Sequence, residues 1–95
     1  MRSRFSAFAV GDAAYLLASW HPSTRPATLE LDDGIRWYRL DILDRTGGGV
    51  LDTAGEVEFT AHHKPRPGAA GVAGRQHERS RFVREDGRWL YVDGL

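Results

Sequence analysis

Aromatic rings alternate with short polar side chains along residues 76–93, in a pattern that could line a binding pocket. Asp86-Gly87 lies between two alternating segments and predicts a β-hairpin, because a type I′ turn needs positive φ at both central residues. Side chains on a strand point alternately to the two faces of a sheet. One predicted face carries Glu78, Ser80, Phe82, Arg84, Trp89, Tyr91 and Asp93. The other carries Arg79, Arg81, Val83, Arg88, Leu90 and Val92.

The aromatic face predicts a small-molecule pocket if helices cover it. Aromatic walls with a few convergent polar groups are typical of such sites. His21 could then act as a general base near neutral pH, and Arg25 could hold a carboxylate or phosphate. A purely structural interpretation stays open, in which His21 caps the second helix and Arg25 pairs with Glu78. The predicted pocket residues are Tyr15, Trp20, His21, Arg25, Glu78, Ser80, Phe82 and Tyr91.

Catalysis by a carboxylate is a second hypothesis for the same face. Glu78, Asp41 and Asp93 are the candidate acids. A proton-transfer site requires a defined geometry, which spacing alone does not supply. The catalytic residues, if there are any, are therefore left unassigned by the sequence.

The histidines do not predict a metal site. His62 and His63 are adjacent, so on a strand they point to opposite faces and cannot chelate one ion together. His21 and His77 are isolated in the sequence. The chain has no cysteine, which excludes disulfides, thiol catalysis and thiolate zinc sites within these residues. We expect no metal and no cofactor.

Length and charge limit the class of protein. Ninety-five residues, 41% of them hydrophobic, predict a single folded domain over residues 1–95. Thirteen basic and thirteen acidic side chains cancel, which makes nucleic acid an unlikely partner. No apolar run approaches the roughly 18 residues of a membrane helix, so we expect no membrane partner and a cytoplasmic location.

The face of the hairpin opposite the rings suggests two further roles. Arg79 and Arg81 could contact RNA, but interleaved acidic residues favour an ion-paired, solvated face instead. Val83, Leu90 and Val92 form an aliphatic stripe with few elements to cover it. Pairing of two copies through this stripe would give a homodimer.

The remaining segments predict two helices and two further strands. Phe5, Phe8 and Ala9 share one helical face, Gly11 can end that helix, and Asp12 can cap a second helix over residues 13–20. Residues 27–32 are predicted as a short helical turn and residues 65–74 as a loop. Strands are predicted over 36–43, with Tyr38, Leu40 and Ile42 on one side, and over 56–63. Successive strands after two helices predict an α+β fold, a mostly antiparallel sheet of about four strands with helices on one face.

Several blocks of the sequence are similar to the YchJ-like family of bacterial proteins. The most specific are His-Pro-Ser-Thr-Arg-Pro at 21–26 and His-Glu-Arg-Ser-Arg-Phe at 77–82, and the resemblance covers nearly the whole chain. It implies a nuclear-transport-factor-2-like domain, in which a curved antiparallel sheet wraps against helices and forms a cone with a cavity. Members usually carry cysteine-rich SEC-C metal-binding motifs at their ends, and this sequence contains none.

The resemblance implies a fold and no particular activity, so three functions remain open. The first is a small-molecule or anion-binding or interaction module that uses a cone-shaped pocket. The second is an isomerase or hydrolase with a histidine and carboxylate site. The third is an accessory protein of translation or secretion, which the SEC-C motifs of similar proteins suggest. A closed cavity lined by His21, Arg25, Glu78 and Tyr91 would favour the first.

Overall fold

A computed structural model describes all 95 residues as two short helices followed by one four-stranded sheet. The helices are α1 (Arg2–Val10) and α2 (Ala13–Ala18), and the strands are β1 (Ile35–Gly47), β2 (Ala54–Pro65), β3 (Gly74–Glu85) and β4 (Arg88–Gly94). The strands pair antiparallel in the order β1-β2-β3-β4. This confirms the α+β prediction. Neither helix is long and apolar enough to cross a membrane.

The end of α1 and the start of α2 lie where their capping residues predict. Gly11 ends α1 in the left-handed conformation, with φ 74°. The side chain of Asp12 accepts a hydrogen bond of 3.0 Å from the backbone N–H of Tyr15 and so caps α2. Leu16 and Ser19 are 0% and 7% exposed.

The helix predicted over residues 13–20 ends two residues early, at Ala18. The backbone N–H of His21 donates to the carbonyl of Tyr91 at 2.7 Å, and the N–H of Tyr91 donates to the carbonyl of Ser19 at 2.8 Å. Trp20 thereby forms a parallel bridge with Tyr91 along the outer edge of β4. These residues leave the helix because they satisfy the backbone groups of an edge strand.

The connection from residue 26 to β1 is irregular and lacks the predicted helical turn over 27–32. Residues 19–21 lie beside β4, whereas β1 is the opposite edge of the sheet. The chain must therefore cross about 19 Å, four strand spacings. An extended path covers this distance with fewer residues than a helix, which rises only about 1.5 Å per residue.

The hairpin of β3 and β4 has the predicted turn. Asp86 and Gly87 have φ values of 51° and 77°, as a type I′ turn requires. The predicted register holds from Glu85–Arg88 to Phe82–Tyr91. A bulge then shifts the pairing by one residue, so that Arg81 lies opposite Asp93 and not opposite Val92. Asp93 therefore leaves the aromatic face predicted for it, and its carboxylate accepts two hydrogen bonds of 2.7 Å from Arg81 on the opposite face.

Two bulges in β1 change which side chains face the helices. They lie between Trp37 and Arg39 and between Ile42 and Asp44, so Tyr38 and Leu43 are the extra residues. Tyr38, predicted to share a side with Leu40 and Ile42, is 48% exposed. Trp37 instead lies on the side of the sheet that faces the helices. The predicted alternation was wrong here because a bulge inserts one residue into the period of two.

The sheet face away from the helices is crossed by ion pairs. Arg79 on β3 donates to Glu56 at 2.6 Å, to Asp44 at 3.0 Å and to the hydroxyl of Thr46 at 2.7 Å. One guanidinium therefore links β3 to β2 and β1. The prediction of an ion-paired face is confirmed.

Few side chains are fully shielded from solvent. Nine of 95 residues are buried, which is a small core for a chain of this length. Leu90 of the predicted aliphatic stripe is only 8% exposed, while Val83 and Val92 are half-buried. The stripe therefore offers less open apolar surface than the sequence suggested. The buried residues are Arg4, Ala7, Leu16, Ser19, Phe59, Ala61, Ser80, Phe82 and Leu90.

Gly87→Val is expected to reduce the free energy of unfolding by about 1–2 kcal/mol, because a side chain with a Cβ is strained at positive φ. Asp86→Asn is the matched control and should leave stability unchanged, since asparagine tolerates this conformation. Urea unfolding followed by circular dichroism measures both. Equal stability of the valine variant and the parent would contradict the type I′ turn.

Asp93→Asn is expected to destabilise the protein near neutral pH and to have little effect in acid. Hydrogen bonds from Arg81 lower the pKa of Asp93 in the folded state. The carboxylate therefore contributes stability above the pKa of an unfolded aspartate, about 3.9, and this contribution is lost as the pH falls through the lower folded value.

Urea unfolding at a series of pH values measures the difference between this variant and the parent. Glu30→Gln, at an exposed residue without an ion pair, is the control and should show no such pH dependence. A loss of stability in Asp93→Asn that is constant down to strong acid would show that the ion pair is not its source.

Candidate functional site

A cavity of about 130 Å³ lies between α1 and the sheet. Its walls are mostly aromatic and come from α1, the bridge residue beside β4, and three of the strands. Polar side chains enter from α1 and β3. The aromatic residues are Phe5, Phe8, Trp20, Trp37, Phe59 and Tyr91, and the polar ones are Arg4, Gln76, Glu78 and Ser80.

The helix spacing and the first bulge of β1 build the apolar end of the cavity. Phe5 and Phe8 lie three residues apart on one side of α1. The ring of Phe8 lies 6.4 Å from that of Trp37, which in turn meets the ring of His63 edge-on at 5.0 Å. Without the bulge, Trp37 would face the other side of the sheet and this wall would be missing.

Arg4 is the only charged residue buried in the structure, and it is 4% exposed. Its Nη1 donates to the carbonyl of Leu16 at 2.9 Å and to the hydroxyl of Ser19 at 2.6 Å. Its guanidinium carbon lies 4.5 Å from the centre of the Tyr91 ring and 5.2 Å from that of Trp20. Burial lowers the pKa of Arg4, but a guanidinium stays charged at neutral pH. The cation thus joins α1 to the end of α2 and to β4.

Tyr91 and Glu78 form the acidic side of the cavity. The hydroxyl of Tyr91 lies 3.5 Å from a carboxylate oxygen of Glu78. Burial, followed by the charge of Glu78, raises the pKa of Tyr91. The phenol therefore keeps its proton at neutral pH and can donate it. The rings of Trp20 and Phe82 hold that of Tyr91 edge-on, at 5.0 and 5.8 Å.

Two polar groups on the cavity wall have unused hydrogen-bonding capacity. Ser80 is 1% exposed, and its hydroxyl has no partner in the protein. The Nε and Nη2 atoms of Arg4 make no hydrogen bond either. No side-chain nitrogen or oxygen in the protein is both fully shielded and unpaired, so these atoms touch open space. The open space that both residues line is the cavity.

The structure brings half of the predicted pocket residues together. Trp20, Glu78, Ser80 and Tyr91 line the cavity. Phe82 is 8% exposed and packs against Tyr91 beside it.

Tyr15, His21 and Arg25 lie outside the cavity. The hydroxyl of Tyr15 donates to that of Ser3 at 2.7 Å. Arg25 donates through Nε and Nη2 to the carbonyl of Trp20, at 3.0 and 2.8 Å. It therefore stabilises its own turn, and the suggested pair between Arg25 and Glu78 does not form.

His21 takes part in a surface cluster rather than a helix cap. Its Nε2 lies 2.8 Å from the carboxylate of Glu85, and its Nδ1 lies 2.7 Å from the hydroxyl of Ser23. The backbone N–H of Ser23 also donates to Nδ1 at 3.1 Å. Since Nδ1 accepts that bond, Nε2 carries the proton given to Glu85. The ring therefore ties the turn after α2 to the end of β3.

Among the candidate catalytic acids, only Glu78 lies at the cavity. Asp41 is on the opposite face, where it accepts hydrogen bonds from His62 at 2.9 Å and Arg39 at 3.0 Å. Those bonds lower the pKa of Asp41, the one from His62 most. His62 and His63 point to opposite faces, as predicted.

Sequence reasoning missed Arg4, Trp37, Phe59 and Gln76 as cavity residues. The spacing of Phe5 and Phe8 indicated the correct side of α1. The hydrophobic periodicity of α1 does not indicate a buried arginine, because charged residues are expected on the solvent-exposed side of a helix. Trp37 was misplaced by the bulge that follows it.

Comparison with known proteins places this chain in a family. Residues 1–94 match the YchJ_M-like family, described as YchJ, middle NTF2-like domain. A UPF0225 protein from Streptomyces coelicolor is 52% identical over 94 residues, which cover 99% of this chain and 69% of that protein. A second, from Chromobacterium violaceum, is 51% identical over 98 residues, which cover 100% of this chain and 70% of that protein.

A solved structure is similar over the whole chain. It is the solution structure of RPA3114, a SEC-C motif containing protein from Rhodopseudomonas palustris, with a TM-score of 0.77 and 30% sequence identity. The match covers 100% of this chain and 73% of that one. The fold, the family match and the identity of about half of all residues to the UPF0225 proteins agree. This chain belongs to the YchJ-like UPF0225 family and corresponds to its middle, NTF2-like domain.

Proposed function

We propose that this domain binds a small molecule in the cavity between α1 and the sheet. The observation that carries the proposal is the unpaired hydroxyl of Ser80, in a residue 1% exposed, on the wall of an otherwise aromatic cavity. Because this hydroxyl touches the open space of the cavity and has no protein partner, it is available to hydrogen-bond whatever occupies that space. The unused N–H groups of Arg4 support the same conclusion.

The size of the cavity limits the ligand to about one ring. A volume of about 130 Å³ is below the roughly 300–1,000 Å³ of drug-sized pockets. It is close to the roughly 150 Å³ cavity that binds benzene in another protein. The aromatic walls favour a flat apolar body, which edge-to-face and stacking contacts would hold.

The charges of the cavity favour a neutral polar group on that ring. Arg4 offers donors and Glu78 offers acceptors, and their opposite charges largely cancel. Ser80 and the phenol of Tyr91 can donate as well as accept. A hydroxyl or amide can satisfy such a mixed set, whereas a deeply placed anion would meet the carboxylate of Glu78.

Binding is better supported than catalysis by a histidine and a carboxylate. The histidine and the second carboxylate that such chemistry needs lie elsewhere, on the surface at His21 and on the outer face at Asp41 and Asp93. General acid–base catalysis requires both groups within reach of one reacting atom.

Titration with benzyl alcohol, followed by ¹H–¹⁵N NMR, tests the proposal. Saturable shifts are expected for the indole N–H signals of Trp20 and Trp37, which line the cavity, and not for that of Trp89. Ala61→Leu should abolish binding because the larger side chain fills the space. Ala70→Leu, at an exposed position, is the matched control and should bind as the parent does.

Ser80→Ala is the second variant, and it should keep the fold. It should weaken the binding of benzyl alcohol by about 0.5–1.5 kcal/mol, the net contribution of one hydrogen bond. Absence of saturable shifts at Trp20 and Trp37 would contradict the proposal. So would binding that persists unchanged in Ala61→Leu.

A further inference from the structure

A second, wider space of about 490 Å³ lies next to the cavity, at the start of α1 and the end of β1. Met1 is the residue that lines both spaces, so they lie next to each other at the start of α1. We call this space the arginine groove. It is open to solvent on one side, and Phe82 and Trp89 contribute rings to its wall.

Two arginines from different elements line the arginine groove. Arg2 comes from α1, and Arg45 comes from the inward-facing side of β1, opposite Val57. Neither makes a hydrogen bond or an ion pair with the protein, in contrast to Arg79 and Arg81 on the outer face. Both guanidinium groups therefore have their full donor capacity available.

The groove is electropositive. The carboxylate that lines it, Glu56, is paired at 2.6 Å with Arg79 on the other side of the sheet. An exposed cluster of like charges without counterions attracts an anion.

Glycines leave the groove open to close approach. Gly47, Gly48 and Gly55 lie along the wall where β1 ends and β2 begins. A Cβ on Gly47 would stand 2.6 Å from the backbone oxygen of Ala54, so this position admits no side chain. The wall beside Arg45 therefore carries no side chains at these glycines, and a ligand in the groove can reach the guanidinium.

We infer that the ligand is a small amphipathic carboxylic acid whose ring occupies the cavity and whose carboxylate is held in the arginine groove by Arg2 and Arg45. This inference rests on the proposed function, because it assumes that the cavity takes the apolar part. The orientation follows from charge: inside the cavity Glu78 offsets Arg4, whereas Arg2 and Arg45 in the groove have no carboxylate partner. A guanidinium and a carboxylate match in planar, two-bond geometry.

The test compares 3-phenylpropionate with 3-phenylpropanol, two ligands that differ in the charged group alone. The acid is expected to bind about tenfold more tightly at low salt, and the preference should shrink as salt is added. In Arg2→Gln and Arg45→Gln the preference should fall to about twofold, while the affinity for the alcohol stays unchanged. Arg75→Gln, at an exposed unpaired arginine on β3 away from the groove, is the control and should keep the preference.

The outcomes separate this inference from the proposed function. Equal affinities for acid and alcohol, or a preference that survives both groove variants, would overturn the inference and leave the cavity as a binding site. Acid binding without NMR shifts at Trp37 would also overturn it, since the ring would then lie outside the cavity. If neither ligand binds the parent protein, the proposed function fails and the inference fails with it.

Discussion

The guanidinium of Arg4, packed against the rings of both Trp20 and Tyr91, is the contact on which the helical layer depends. It lies 5.2 and 4.5 Å from the two ring centres and also donates to the carbonyl of Leu16. A buried charge is tolerated only when such partners replace its hydration. Because one cation reaches α1, the end of α2 and β4 at once, it fixes how far the helices stand from the sheet. The cavity is the space that this spacing leaves.

The two faces of the sheet are stabilised in different ways. The helix side has few fully buried residues and a void, whereas the other side is crossed by ion pairs centred on Arg79 and Arg81. Exposed ion pairs contribute little each. Their role here is to align neighbouring strands, because Arg79 links three of them. A domain built in this way can keep a void on one face without losing the register of its strands.

Sequence patterns predicted the elements well and the site only in part. The Asp86-Gly87 turn, the end of α1 at Gly11, the cap of α2 at Asp12 and four strands follow from local chemistry that one or two residues determine. The bulges at Tyr38 and near Val92 do not follow from local chemistry. An inserted residue changes which face of the sheet its neighbours point to, and the composition of the strand does not reveal it. These bulges account for the misplacement of Trp37 and Asp93. Arg4 was missed for a different reason: its burial depends on Trp20 and Tyr91, residues distant in the sequence, and no local pattern records that contact.

The position of Arg4 against the two rings can be measured directly in the NMR spectrum of the arginine side chains. Protons above the faces of aromatic rings are shielded, and N–H groups held in buried hydrogen bonds exchange slowly with water. If Arg4 packs against the two rings, one arginine N–H signal is shifted strongly upfield and protected from exchange. Arg4→Lys should remove that signal alone. If every arginine side chain instead exchanges rapidly at an unshifted position, the cation does not lie against the rings, and the cavity has no fixed wall at α1.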